Sequence, residues 1–177
     1  NYTYQHTKGI ADSPTTSFSR EGANQDPITR LLPLSWDQRH TFNLTFGYNV
    51  EKYGFTLSSY FNSGTAFSFV PISTNSLAAI NLEPNNAYKP SNFTVNLSSY
   101  YNIPKINARI TFEVYNLLDA LNEYVVNAQT GRSYSAILTE SSSLSFRNNY
   151  TSIADTYQDP SHYGAPRSIK VGIDFRY

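Results

Sequence analysis

The chain has 177 residues, with Lys plus Arg and Asp plus Glu both at 13, so it carries no net charge. That length suits one domain, and the charge balance removes the broad electrostatic case for nucleic acid as a partner. Cysteine is absent, which excludes a disulfide framework, a thiolate zinc site and a thiol nucleophile. Aromatic residues make up 15 % of the chain, and Tyr alone occurs 15 times. An apolar ring with a polar tip suits a membrane–water boundary. No apolar run approaches the ~20 residues of a spanning helix, so any crossing of a bilayer would use strands. The sequence begins with Asn and contains no signal-peptide pattern. A mature or truncated product is expected.

Helical periodicity is poor, and alternation with a period of two recurs. Six long strands are predicted. The first covers residues 1–10. The second, 39–50, sets Phe42, Leu44, Phe46 and Tyr48 against Thr41, Asn43, Thr45 and Gly47. The third, 53–69, begins its apolar face with Tyr53, Phe55 and Leu57, and a bend is expected from Gly64 onward, since Gly inside a strand often marks a bulge. The fourth, 92–103, sets Phe93, Val95, Leu97 and Tyr101 against Thr94, Asn96, Ser98 and Tyr100. The fifth, 106–117, sets Ile110, Phe112 and Val114 against Arg109, Thr111 and Glu113. The sixth, 168–177, sets Val171, Ile173, Phe175 and Tyr177 against Lys170, Gly172, Asp174 and Arg176.

The connections alternate in length. Tight turns are predicted near Asn49–Lys52 and Asn102–Lys105, and long links over 11–38, 70–91 and 118–167. The last is expected to hold a small hairpin, 124–128 with 132–137, turning at Gln129, Thr130 and Gly131. Long loops at one end and short turns at the other is the asymmetry of an outer-membrane barrel, whose short turns are periplasmic. The fold class expected is all-β: an antiparallel meander of about six long strands.

The second, fourth, fifth and sixth strands suit a tilted membrane strand of about 9–11 residues better than the usual soluble length of about 5–6. Their apolar faces carry no charge between the rims, where a Lys or Arg at the bilayer midplane costs about 2–4 kcal/mol. The charges Arg109, Glu113, Lys170, Asp174 and Arg176 fall on the opposite face, where a wet lumen would accept them. A soluble sandwich with one face in water would show the same alternation. Six strands are too few to close a membrane barrel, and an open edge in lipid leaves backbone groups unpaired. The first strand turns polar after Tyr4, as if only its upper half were present. Residues 1–177 are therefore expected to form the C-terminal part of a larger barrel.

The ending resembles the C-terminal assembly signal of bacterial outer-membrane barrels, with Lys170, Gly172, Phe175 and Tyr177 at its fixed positions. Three further stretches carry a wider likeness. Asp37-Gln38-Arg39-His40 before an alternating strand is one. Asn116-Leu117-Leu118-Asp119 is the second, with Leu118 where Phe is usual. Gly164-Ala165-Pro166-Arg167 before the last strand is the third. Their order and spacing resemble the C-terminal barrel segment of TonB-dependent outer-membrane receptors. The resemblance implies a barrel of about 22 strands with a plugged lumen. It also implies energised uptake of a scarce ligand, such as a siderophore, cobalamin, a glycan or a peptide. The implied partners are outer-membrane lipid, the rest of the barrel, the plug, the TonB complex reached through the plug, and the barrel-assembly machinery. Plug and TonB-contacting segment would lie elsewhere in a longer protein.

No enzymatic chemistry is expected. His6, His40 and His162 are far apart and lack metal-ligand spacing, and no phosphate loop or nucleophile elbow occurs, so no metal or cofactor is predicted. Arg109 and Glu113 share a strand face and are read as lumenal charges. Trp36 suits the outer aromatic girdle or a ligand contact. Loops on a rigid scaffold do the recognising, so ligand contacts are expected from Trp36, Tyr124, Tyr134, Arg147, Tyr150 and Tyr157. Two other functions fit the same pattern: a non-transport outer-membrane barrel or adhesin, and a soluble carbohydrate-binding β-sandwich. Strands and a plug encoded upstream would separate the receptor from both.

Overall fold

The computed structural model describes residues 1–25, 27–28, 30–71, 82–134 and 159–175. Arg176 and Tyr177 lie outside them, as do Arg147, Tyr150 and Tyr157 in the third long link. The strands are β1 Tyr2–Tyr4, β2 Lys8–Gly9, β3 Leu32–Pro33, β4 His40–Asn49, β5 Tyr53–Asn62, β6 Ala66–Phe67, β7 Ala87–Tyr88, β8 Asn92–Ile103, β9 Ala108–Tyr115 and β10 Ser168–Phe175. One short helix, α1, covers Thr16–Gly22.

The main sheet has the order β1-β4-β5-β8-β9-β10, antiparallel throughout. It is a meander, as the alternation predicts. Two-stranded pieces β2–β3 and β6–β7 stand apart from it. All three long connections leave from one end of the sheet. The other end holds only residues 50–52 and a 3-10 turn, Pro104–Ile106. The sheet is open: β10 is one edge, and β4 beyond Asn43 has no partner on the β1 side among the described residues.

Register fixes which side chains share a face. Phe46, Leu57, Leu97, Val114 and Ile169 stand in one row across five strands. Tyr48, Phe55, Ser99, Phe112 and Val171 form the next. The intervening row is Gly47, Thr56, Ser98, Glu113 and Lys170. One face is therefore apolar from edge to edge, and the other is polar. No second sheet packs on the apolar face among the described residues. Phe42 is 39 % exposed, Phe46 56 % and Phe175 59 %. A β-sandwich would bury these rings between sheets, and this fold does not.

Several predicted boundaries move, each for a local reason. The first strand covers only Tyr2–Tyr4: the Gln5 amide still bonds its register neighbour Arg39, but the Thr7 amide leaves the ladder for the Asp37 carboxylate. Lys8–Gly9 then pairs with β3 instead. The third strand ends at Asn62. The predicted bend follows at Gly64, packed so closely on the Lys89 carbonyl that no side chain fits. The fifth strand spans Ala108–Tyr115 rather than 106–117. Asn107 (φ 48°) and Asn116 (φ 52°) close it at both ends, in the left-handed conformation that Asn adopts more readily than most residues. The turn predicted at 129–131 forms, with the Thr130 and Gly131 amides bonding Asn127. No strands flank it among the described residues. Helix α1, inside the link 11–38, has no counterpart in the sequence reading.

Candidate functional site

The loop end of the sheet is held by buried polar side chains. The Asp37 side chain is fully buried. Its Oδ1 accepts the Thr7 amide at 2.6 Å and its Oδ2 accepts the Tyr88 hydroxyl at 2.5 Å. Arg39 Nε stands 3.5 Å from the same Oδ2. Arg39 also donates to the Tyr88 hydroxyl at 2.9 Å, with its guanidinium 4.9 Å above the Tyr88 ring. Burial opposes the charge on Asp37, but the bonds from Tyr88, Thr7 and Arg39 outweigh it and hold the pKa below the ordinary carboxyl value. Burial, reinforced by the bond to Asp37, pushes the Tyr88 hydroxyl up. The His40 amide donates to Ser63 Oγ at 2.9 Å, and its Nδ1 lies 2.8 Å from the Tyr2 hydroxyl. The Asp-x-Arg-His stretch therefore clamps the first loop, the second loop and the tops of β1 and β4 together. Asn85, held at φ 56°, adds a second tie by donating to Asp12 and to the Pro33 carbonyl.

The stretch after β9 builds a matching clamp. The Asn116 side chain donates to the carbonyls of Ala120 and Ala165 and accepts the Ala120 amide, and the Asn116 backbone donates to Asn96. Asp119 accepts the Arg167 amide at 2.9 Å, which fixes the chain as it enters β10. The Asn122 amide bonds both the N–H and the C=O of Phe93 and so stands in for a strand partner at the top of β8. Gly164 bonds the Asn122 carbonyl, and a Cβ on it would meet the Tyr124 ring at 2.8 Å. Buried Glu123 accepts Arg132 at 2.8 and 2.5 Å and the Ser133 amide at 2.6 Å. Burial again opposes the charge, and these bonds hold the Glu123 pKa below its ordinary value. The three stretches singled out in the sequence thus meet the loop end as structural clamps.

Tyr88 and its neighbour Lys89 connect the two clamps. Tyr88 bonds Asp37, while Lys89 Nζ donates to the Tyr124 carbonyl at 3.2 Å. The second loop is therefore a bridge between the first and the third. Trp36, beside Asp37, is 52 % exposed, as is Tyr124; Tyr134 lies 5.8 Å from the Arg132 guanidinium. These three predicted contact residues sit on the loop end but do not converge on one pocket among the described residues. Sequence reasoning missed Tyr88, Asn85, Asn122 and Glu123. The Asn85–Asn86 pair offered the one local hint, since adjacent Asn residues favour tight turns.

Four of the predicted lumenal charges occupy one wall of the polar face. Glu113 is the register partner of Lys170, and Arg109 of Asp174. They do not form direct ion pairs. Lys170 lies 5.0 Å over the Tyr115 ring, and the Tyr115 hydroxyl donates to Glu113. Tyrosine thus mediates between the two charges. Of the predicted assembly residues, Gly172 faces Thr111, where a Cβ would stand 2.6 Å from Oγ1, and Phe175 projects from the apolar face. Contrary to the sequence expectation, His6 and His40 meet at the Tyr4 ring, with centroid distances of 5.0 and 5.1 Å, while His162 lies at the Ser133 carbonyl. The described residues hold no cluster of three metal-ligating side chains. Comparison with protein-family models, with curated proteins and with solved structures gave no match.

Proposed function

We propose that this chain is a wall segment of a bacterial outer-membrane β-barrel, and specifically of a TonB-dependent receptor that takes up a scarce ligand. The observation that carries the barrel reading is the register. It aligns every long strand's apolar side chains on one face of a single sheet that no second sheet covers among the described residues, with all long loops at one end. Water would penalise such a face at about 25 cal/mol per Å² of apolar surface, and hydrocarbon tails remove that penalty. The open edges at β4 and β10 call for further strands, since lipid does not satisfy unpaired backbone groups. The receptor reading draws its support from the three resembling stretches, each of which has a structural task at the loop end. The bound loops would present ligand contacts such as Trp36 and Tyr124, and a plug and the TonB complex would supply gating and energy.

The test is to express the gene product at its full encoded length in a Gram-negative host. Fractionation with the outer membrane, and a mobility on gels that changes on boiling, are expected. Recovery as a soluble monomer would overturn the barrel. Tyr177→Ser should lower the assembled fraction and leave ligand affinity unchanged; normal membrane levels would remove the assembly role. Upstream sequence without a plug or further alternating strands would favour the non-transport barrel or adhesin.

A further inference from the structure

The opposite end of the sheet also carries an opening. A cleft of about 500 Å³ lies between the turn at 50–52 and the Pro104–Ile106 turn, and Lys52, Asn102, Ile103, Asn107, Ala108 and Arg109 line it together with Glu51. Its walls draw on both faces of the sheet. Ile103 and Ala108 are register partners on the apolar face, in a row that continues to Phe175. Asn102 and Arg109 are register partners on the polar face.

The cations at this cleft are held in place. The Arg109 guanidinium lies 4.7 Å over the Tyr100 ring, and its Nε donates to Asn102 at 2.8 Å. Tyr100 in turn rests on Gly54, where a Cβ would come within 2.6 Å of the ring, and its hydroxyl donates to the Val50 carbonyl. The terminal nitrogens of Arg109 have no acceptor among the described residues. Lys52 Nζ stands 5.5 Å over the ring of Tyr101, an exposed residue of the apolar face. Lys105 sits in the adjacent turn. Among the described residues Glu51 and Asp174 stand against these three cations, which leaves one positive charge over. Asp174, the register partner of Arg109, forms no ion pair with it. A site that joins surplus positive charge and free guanidinium donors to an apolar sheet face fits an anionic amphiphile.

We infer that this cleft binds the phosphodiester headgroup of an anionic glycerophospholipid, with Arg109 and Lys52 at the phosphate and the acyl chains along the apolar face. The inference rests on the barrel reading, which places the short turns at the periplasmic leaflet. Native mass spectrometry of the detergent-solubilised full-length protein tests it. The probes are a short-chain phosphatidylglycerol, the phosphatidylcholine of equal chain length, and inorganic phosphate. Phosphatidylglycerol should bind saturably and more tightly than phosphatidylcholine. Lys52→Gln should weaken it ~5-fold, the effect of one basic residue at an anionic surface. Arg109→Gln should weaken it at least as much, with partial recovery in Arg109→Lys.

Equal affinity for the two lipids would overturn the inference, as would unchanged binding in the Lys52 variant. So would full displacement of the lipid by an equal concentration of inorganic phosphate, which would make this a site for a soluble anion. Arg109 supports Tyr100, so boiling-dependent gel mobility checks that variant's folding, and the Lys52 variant decides the question if it fails. A soluble wild-type protein would overturn the barrel and this inference together. Equal lipid affinities in a membrane-inserted protein would overturn this inference alone.

Discussion

The wall of the sheet and its loop end are buried in opposite senses. Along the wall, large apolar side chains such as Leu44, Phe46 and Val171 are exposed, and the backbone ladder supplies the order. At the loop end the buried polar side chains are Asp37, Asn85, Asn116, Asn122, Glu123 and Ser133, beside the small apolar contribution of Leu32 and Ala66, while Leu121 is 71 % exposed and Leu118 59 %. Each buried polar group there replaces a backbone partner that the chain loses on leaving the ladder. On the barrel reading proposed above, the wall would take its energy from surrounding hydrocarbon, whereas the loop end takes its shape from side-chain bonds.

A charge placed on each face of the wall gives the sharpest contrast. Leu97→Arg, in the middle apolar row, should destabilise the full-length protein in lipid by about 2–4 kcal/mol. Ser98→Arg, one residue on and opposite Glu113, should leave stability within about 0.5 kcal/mol. Denaturant titration in vesicles measures both, and equal effects would break the distinction between the faces. At the loop end, Asn116→Ala removes the partner of several backbone groups. It should cost about 1–3 kcal/mol, read as lost hydrogen-exchange protection around Ala120 while β8 and β9 stay protected. Loss across the wall as well would mean that the two regions unfold as one.

Acid should separate the regions more gently. The Asp37 pKa is lower in the folded protein than its ordinary value of 3.8. Its contribution is therefore complete above that value and is lost as pH falls below it, through the depressed folded pKa. The Thr7 amide, corrected for intrinsic exchange, should lose protection over that window in the wild type, and its protection should vary less with pH in Asp37→Asn. Constant wild-type protection would show that the carboxylate is not what holds β1 to β4. The smallest effect is expected at the solvent-exposed Arg30–Glu83 pair. Exposed pairs contribute little, so Arg30→Ala should leave unfolding midpoints unchanged.

The wall was legible in the sequence because it is periodic. The range 92–103 matches β8, and the register puts Phe42, Val95, Phe112 and Phe175 on the face that their alternation assigns. The loop end was legible only as stretches of resemblance. Its bonds join single side chains to distant backbone, such as Thr7 to Asp37 or Asn122 to Phe93, and such pairings leave no period. Tyr88 lies 51 residues from Asp37 in a link whose composition suggests only a loop. The same holds for α1, seven residues long, too short to establish a helical pattern.

The strict alternation of β8 has a further consequence for a protein made in the cytosol. Every second residue from Asn92 to Asn102 is polar or hydroxylated, apart from the ring of Tyr100, so no stretch is greasy enough to be retained as a helix. Mean hydropathy over the chain is −0.44. On the reading proposed here, the polypeptide slips through the inner membrane's secretion channel without stalling. Its affinity for oil emerges only once neighbouring strands zip together in the second bilayer. On that reading, export and final residence would be reconciled by a property that belongs to the assembled sheet and not to any of its segments.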